Sequence, residues 1–155
     1  MSTISIITPL YNSFNDELSA LKFLRLSESL KDYYHEHLIL NDGSTDNTHI
    51  NITNNINNKK IKYINCSENK GILNRCLQLF EICSSNYVMG LADDDIILSK
   101  FLKDSQHIIH KHKNIGLIFS DMYSIDVNGC FDFHYKPNNL QEGYINSTDY
   151  MDKYI

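Results

Sequence analysis

The sequence lacks several features that mark common classes of protein. Its 155 residues include only two prolines and six glycines, so no proline- or glycine-rich linker divides the chain. No window approaches the ~18 apolar residues of a membrane-spanning helix. No basic residues precede the apolar run that starts at Ile4, so a signal peptide is not expected. We therefore expect one domain over residues 1–155, located in the cytoplasm, with peripheral attachment at the inner face of the membrane as an alternative.

Common metal and nucleotide motifs are also missing. None of the four cysteines forms a C-x-x-C pair, which argues against a zinc knuckle or a thioredoxin-type site. The seven histidines include no H-E-x-x-H pattern. Neither G-x-G-x-x-G nor G-x-x-x-x-G-K-S/T occurs, so the usual glycine-rich phosphate loop is absent. The net charge of −5 argues against a broad basic surface for nucleic acid.

Short apolar runs recur along the chain at intervals suited to strands. Runs without polar alternation are typical of parallel strands that are covered on both faces. On this basis, strands are predicted at Ile4–Thr8, His37–Leu40, Ile61–Asn65, Tyr87–Leu91 and Ile115–Ser120. A turn signal at residues 127–129 also predicts a hairpin strand over Phe131–His134.

Amphipathic segments of helical period lie between these runs. Helices are predicted after a cap at Asn15, from Ser44 or Asp46 to Asn58, over Gly71–Ser84, over Ser99–Lys113, and from Thr148. Strands that alternate with helices of this length predict an α/β fold with an open, mainly parallel sheet and helices on both faces.

Three loops follow predicted strands and carry polar side chains: Pro9–Asn12, Asn41–Ser44 and Asp93–Asp95. Ligands of such sheets bind at the carboxyl ends of the strands. The residues alone leave two interpretations of Asp93–Asp95, a helix cap with solvated neighbours or a divalent cation site that relieves the repulsion of three carboxylates. Asp42 either belongs to a turn or accepts a hydrogen bond from a ligand N–H, such as that of a pyrimidine base on which Tyr11 would stack.

Four segments resemble the inverting family 2 glycosyltransferases, which have the GT-A fold. They are Ile6–Asn12, Leu40–Asp46, Glu68–Gly71 and Leu91–Asp95, and their order and spacing match over residues 3–125. The resemblance implies metal-assisted transfer of a sugar, with inversion, from a nucleotide-diphosphate sugar. It favours a UDP-sugar as donor, Mg²⁺ or Mn²⁺ as the cofactor, a saccharide or lipid-linked acceptor, and a place in polysaccharide biosynthesis.

The same resemblance implies roles for individual residues. The expected nucleotide-sugar-binding residues are Thr8, Pro9, Tyr11, Asp42, Asn69, Gly71 and Asp93. Asp94 is the expected direct ligand of the metal. Two positions depart from the family pattern, because Arg75 lies one residue early and Ala92 stands where many members have an aspartate.

The resemblance also implies that this chain is the donor-binding part of a longer domain. Family members continue through an acceptor-binding half that supplies the general base. Glu142 and Asp149 match the family's general base poorly, so the base is expected beyond Ile155. If the base lies within the chain, Asp121 and Asp126 are the first candidates. The alternative function is an inactive nucleotide-sugar-binding fragment. A missing half also predicts exposed apolar surface and self-association.

Other doubly wound domains fit the sequence less well. A nucleotidyltransferase would need a basic glycine-rich loop after the first strand, where this chain has Pro9–Asn12. A phosphate-accepting signalling domain would need a lysine after the fifth predicted strand, where Ser120 and Asp121 stand.

Overall fold

The computed structural model describes residues 3–126, 128–136 and 143. Its ten elements in chain order are β1 (Ile4–Leu10), α1 (Glu17–Ser29), β2 (Glu36–Asp42), α2 (Thr48–Thr53), β3 (Ile61–Cys66), α3 (Ile72–Ile82), β4 (Tyr87–Gly90), α4 (Ser99–Lys111), β5 (Met122–Ile125) and β6 (Phe131–Tyr135). The chain divides into two compact units, the first ending at Lys111 and the second beginning at His112.

The first unit is built on four parallel strands in the order β3-β2-β1-β4. β2 is buried along its whole length, because helices cover both faces of the sheet. On one face, the ring of His37 lies 5.7 Å from the ring of Phe23 in α1. On the other face, Leu38 packs in a cluster with Leu79 of α3. This arrangement confirms the predicted α/β class and the parallel sheet.

At the carboxyl edge, β1 and β2 run farther than the sequence predicts, whereas β4 ends at Gly90, one residue before the predicted end. β1 continues through Pro9 to Leu10, and β2 continues to Asp42. In this extension, Leu10 lies opposite Asn41 in the register of the two strands. Asn41 and Asp42 are therefore part of the sheet, and they are held at fixed positions along its edge.

Two helix boundaries differ from the prediction. α1 is capped by Asp16, whose side chain accepts a hydrogen bond from the Ser19 N–H, rather than by Asn15. α2 ends at Thr53 instead of Asn58. Asparagine is a weak helix former because its side chain competes for backbone groups. Asn58 shows this competition, since its side chain donates to the Tyr34 hydroxyl and accepts from the Lys60 N–H.

The second unit corrects the prediction of a fifth parallel strand. Residues 115–120 form no strand, and Leu117 is exposed. Instead, β5 and β6 pair in an antiparallel hairpin, which confirms the strand predicted at Phe131–His134. An apolar run reports local hydrophobicity, whereas a strand also needs a neighbour for its backbone groups. The helix predicted from Thr148 lies outside the described residues.

α3 has an apolar face that the first unit leaves uncovered. Only Arg75 and Leu79 of this helix are buried, whereas Leu73, Leu77 and Phe80 are exposed. The four cysteines are free thiols, and Cys76 and Cys83, on or beside α3, are half-buried. Within the described part of the chain, no helix is long and apolar enough to cross a membrane.

Candidate functional site

A cleft of about 370 Å³ opens at the carboxyl edge of the sheet in the first unit. It collects residues from the ends of β1 and β2 and from the loops that follow β1, β3 and β4. Its lining residues are Pro9, Leu10, Tyr11, Ser13, Asp42, Asn69, Gly71, Ile72 and Asp93. The three polar loops that the sequence placed at one edge therefore meet around one cavity, together with the start of α3.

Most of the residues predicted to bind a nucleotide sugar lie on the wall of this cleft. They are Pro9, Tyr11, Asp42, Asn69, Gly71 and Asp93. The structure does not bring the seventh of these residues, Thr8, or the predicted metal ligand, Asp94, to the wall. Thr8 is fully buried behind it, and Asp94 is exposed on the turn after β4. The ligand contacts of all these residues stay predictions.

Asp42 is the most constrained side chain of the cleft. Its Oδ1 accepts hydrogen bonds from the Lys70 N–H at 2.8 Å and from Arg75 Nε at 2.5 Å, and its Oδ2 accepts from the Gly71 N–H at 2.9 Å. Burial raises the pKa of Asp42, but the hydrogen bonds from Arg75 and from two backbone N–H groups outweigh it and hold the pKa below its usual value. Asp42 is therefore an ionised carboxylate that fixes the loop before α3.

Arg75 is a member of the site that the sequence did not assign. Its side chain is only 6% exposed, and besides Asp42 it donates to the Glu68 carbonyl and to Gln78 Oε1. Arg75, which lies one residue early relative to the family pattern, is thus the buried ion-pair partner of Asp42. An arginine is almost never buried unless it is paired, so a lone arginine on an apolar helix is a signal for such a partner.

Gly43 allows the loop before α3 to approach β2. Its φ is +67°, and an added Cβ would lie 2.7 Å from the backbone nitrogen of Asn69 and 2.7 Å from the carbonyl carbon of Glu68. Only glycine fits this combination of left-handed backbone and close approach. The glycine of the Asn41–Ser44 loop therefore has a packing function as well as a turn function.

Asn12 joins the first two loops and was also missed. Its side-chain Oδ1 accepts from the Thr45 N–H at 2.8 Å, and its backbone N–H donates to Ser44 Oγ at 2.9 Å. Asn12 has a φ of 53°, in the left-handed region that asparagine tolerates better than most residues. The sequence offers one signal for this contact: an asparagine follows the first strand and a Ser-Thr pair follows the second.

The acidic turn after β4 supplies the hard oxygen donors of the site. Asp93 is half-buried on the cleft wall, Asp94 is exposed beside it, and the Asp95 N–H closes the turn on the Ala92 carbonyl at 3.3 Å. In the described residues, no three His, Cys, Asp or Glu side chains converge on one point. Magnesium sites of one or two carboxylates completed by substrate phosphates fit this donor set.

The candidates for a general base in the second unit have structural partners. Asp121 Oδ2 lies 2.9 Å from His134 Nε2, across the hairpin. Asp126 Oδ1 accepts from the N–H groups of Asn128 and Cys130, and the Cys130 bond contributes most to a pKa below the usual value. Both carboxylates therefore stabilise the β5–β6 hairpin. Glu142 and Asp149 lie outside the described residues.

Comparison with known proteins assigns the family. The family described as Glycosyl transferase family 2 matches residues 5–151, which is nearly the whole chain. No curated protein matches the chain.

Solved structures of TarS from S. aureus also resemble this chain. TarS 1-349 in complex with UDP-GlcNAc has 27% sequence identity and a TM-score of 0.57, and the match covers 71% of this chain and 32% of that one. TarS 1-349 in complex with UDP has 27% identity and a TM-score of 0.56 over the same shares. These likenesses confirm the predicted GT-A fold. The chain spans about a third of the length of the TarS chains that it matches.

Proposed function

Since this chain belongs to glycosyl transferase family 2, we propose that its cleft binds a nucleotide-diphosphate sugar and that the protein transfers the sugar, with inversion, to a saccharide or lipid-linked acceptor. The favoured donor is a UDP-sugar, because the similar TarS structures hold UDP-GlcNAc or UDP. The observation that carries the proposal is the cleft, where an aromatic ring, a buried carboxylate and an acidic turn meet. Ligands of such sheets bind at this edge.

The cleft suits a uracil base. Tyr11 is 49% exposed, so its ring is available for stacking. Asp42 already accepts three hydrogen bonds, and an ionised carboxylate offers about four acceptor positions. The remaining position can accept the N3–H of uracil. Cytosine carries no hydrogen on N3, so this arrangement favours UDP over CDP.

Asp93 and Asp94 are the residues that would hold a Mg²⁺ or Mn²⁺ ion, with diphosphate oxygens completing its coordination. A divalent cation bound there offsets the negative charge of the departing diphosphate. The chain needs this charge, because the sequence has no glycine-rich phosphate loop with a lysine. The two carboxylates are adjacent on one turn, and Asp93 lines the cleft.

Inversion corresponds to a single in-line displacement at the anomeric carbon. The acceptor oxygen forms a bond to this carbon while the bond from the carbon to the diphosphate oxygen breaks, and a carboxylate takes the proton of the acceptor hydroxyl. We assign this proton transfer to no described residue, because Asp121 and Asp126 are engaged in the hairpin. Donor binding without transfer is therefore the alternative outcome for this chain.

Calorimetric titration with UDP tests the binding step. We expect UDP to bind in Mn²⁺ and to bind more weakly in EDTA, and we expect CDP to bind about tenfold or more weakly than UDP, because it leaves Asp42 without its donor. The Asp94→Asn variant should lose affinity in Mn²⁺ and retain the affinity that the wild type has in EDTA.

The matched control is Asp32→Asn, which removes one exposed carboxylate from the opposite end of the sheet, before β2. This variant should bind UDP as the wild type does in both conditions. Equal UDP affinity in Mn²⁺ and EDTA would contradict the metal site, and absence of binding in both would contradict the donor site. Measurement of transfer to a panel of acceptors then separates an enzyme from a binding fragment.

A further inference from the structure

Thr8 lies where the pairing of β1 with β4 changes. The two strands pair over Ile4–Ile7 on β1, and the Leu91 N–H donates to the Ile7 carbonyl at 3.0 Å. The next bond of a parallel ladder would join the N–H of residue 9 to the Leu91 carbonyl, but Pro9 has no N–H. Instead, the Thr8 hydroxyl donates to the Leu91 carbonyl at 2.8 Å. The side chain of Thr8 thus replaces the ladder donor that Pro9 removes.

This hydrogen bond fixes the backbone that directly precedes the acidic turn. Leu91 is buried, and both of its backbone polar groups are held by β1, the N–H by Ile7 and the carbonyl by Thr8. The turn over Asp93–Asp95 begins two residues later. Its position relative to the cleft therefore depends on the direction in which the Thr8 hydroxyl points.

His37 sets that direction. A threonine hydroxyl has one hydrogen, and here it goes to the Leu91 carbonyl, so Thr8 Oγ1 must accept from His37 Nε2, which lies 2.9 Å away. His37 is fully buried, and burial lowers its pKa to about 3, so the imidazole is neutral. A neutral ring that carries its hydrogen on Nε2 must accept at Nδ1.

The remaining contacts of the ring fit this tautomer. Ser27 Oγ lies 2.9 Å from His37 Nδ1 and can donate to it. The Tyr34 hydroxyl lies 3.0 Å from Ser27 Oγ and 3.1 Å from the Ser27 carbonyl, and it accepts from Asn58 Nδ2 at 2.8 Å. The single hydrogen of the Tyr34 hydroxyl can go to the Ser27 carbonyl or to Ser27 Oγ, so the direction of the hydrogen bonds is fixed from Ser27 through His37 and Thr8 to the Leu91 carbonyl.

We propose that Thr8 and His37 are positioning residues of the site: the Thr8 hydroxyl stands in for the missing N–H of Pro9, and the Nε2–H of His37 orients it so that the Asp93–Asp95 turn is held against the cleft. The consequence for ligand binding rests on the proposed function. The consequence for the turn itself does not, because it depends only on the hydrogen bonds within the first unit.

The test compares Thr8→Val, which keeps the shape and removes the hydroxyl, with Thr8→Ser, which keeps the hydroxyl. Thr8→Val should bind UDP about tenfold more weakly in Mn²⁺ and equally well in EDTA, since only the carboxylates on the turn are displaced. Thr8→Ser should restore the affinity. His37→Gln keeps an N–H near the position of Nε2 and should bind like the wild type, whereas His37→Met should bind like Thr8→Val.

The control is Ser5→Ala, which removes another buried hydroxyl from the same strand, at the opposite end of the sheet. The amide NMR signals of residues 92–95 should shift in Thr8→Val and stay in place in Ser5→Ala, and the nitrogen spectrum of His37 should show hydrogen on Nε2 alone. Unshifted amides in Thr8→Val, or hydrogen on Nδ1, would overturn the proposal. If the wild type bound no nucleotide, the proposed function would fail, and these NMR signals would still decide the positioning role.

Discussion

Two buried carboxylates lie at the two ends of β2, and they have different roles. Glu36 begins the strand and Asp42 ends it, and each is no more than 3% exposed. Glu36 Oε1 accepts from Ser5 Oγ and from the N–H and hydroxyl of Ser84, while its Oε2 accepts from Lys62 Nζ at 2.6 Å. Both carboxylates are thus paired with a cation and with uncharged donors.

The difference lies in the cation and in what surrounds it. The Lys62 side chain is 61% exposed, whereas that of Arg75 is 6% exposed. Glu36 joins strand starts to the end of α3, and Asp42 joins β2 to the loop on the cleft wall. A buried and fully bonded carboxylate therefore does not by itself mark a ligand site. The position in the sheet distinguishes the two carboxylates: Asp42 lies at the carboxyl edge of the parallel strands, beside a cleft, and Glu36 lies at the opposite edge.

The largest expected effect comes from breaking each pair in turn. Asp42→Asn should lower the free energy of unfolding by about 3–5 kcal/mol, because it leaves the Arg75 guanidinium buried without its counter-charge. Glu36→Gln should cost about 2 kcal/mol, because Lys62 remains in water and the amide oxygen can still accept from Ser84. Urea unfolding of the two variants measures the difference. Equal losses would show that exposure of the cation does not separate the two ends.

A second substitution disturbs only the Asp42 end. Gly43→Ala should cost about 2–4 kcal/mol, since the new Cβ meets the backbone of Glu68 and Asn69 and the residue must keep a positive φ. Gly90→Ala is the control, because a Cβ there meets no atom within 4 Å. Thermal melting of both variants provides the measurement. A Gly43→Ala protein as stable as Gly90→Ala would mean that the loop before α3 moves away freely.

The smallest effect concerns pH and sharpens the role of Glu36. Burial opposes the ionisation of Glu36, but the hydrogen bonds from Lys62 and Ser84 lower its pKa from 4.5 to about 2. A lowered pKa stabilises the fold fully above the ordinary value, and this contribution is lost as the pH falls through the folded value. The stability advantage of the wild type over Glu36→Gln should therefore be complete above pH 4.5 and shrink towards pH 2. Urea unfolding over a pH series checks this, and an advantage that did not change with pH would contradict it.

The four strands and the loops after them were predictable because their signals are local. Buried parallel strands are apolar runs, and the topology brings their carboxyl ends to one edge whatever the loops contain. This is why Tyr11, Asp42 and Asp93 could be assigned to one site before any geometry was known. The same reasoning led to the wrong prediction of a strand at Ile115–Ser120, because an apolar run does not reveal whether a pairing partner exists.

The supports of the site were not predictable because they join residues that are distant in sequence. Arg75 reaches Asp42 across 33 positions, and Asn12 reaches Thr45 across 33. The hydrogen bond from Thr8 to Leu91 spans 83 positions. Each of these residue types has several ordinary uses on a helix, in a turn or in a strand, and only the three-dimensional register selects among them.

The span of the Thr8–Leu91 bond also bears on how the protein folds. β1 meets β2 across about 30 residues, whereas it meets β4 across about 80, and the entropy lost on closing a loop grows with its length. Contacts between distant residues form late, because the intervening chain must be ordered first. The acidic turn rests on this last pairing. We therefore expect the part of the cleft edge that carries Asp42 to form before the part that carries Asp93, so that a partly folded chain would hold only one side of the cleft.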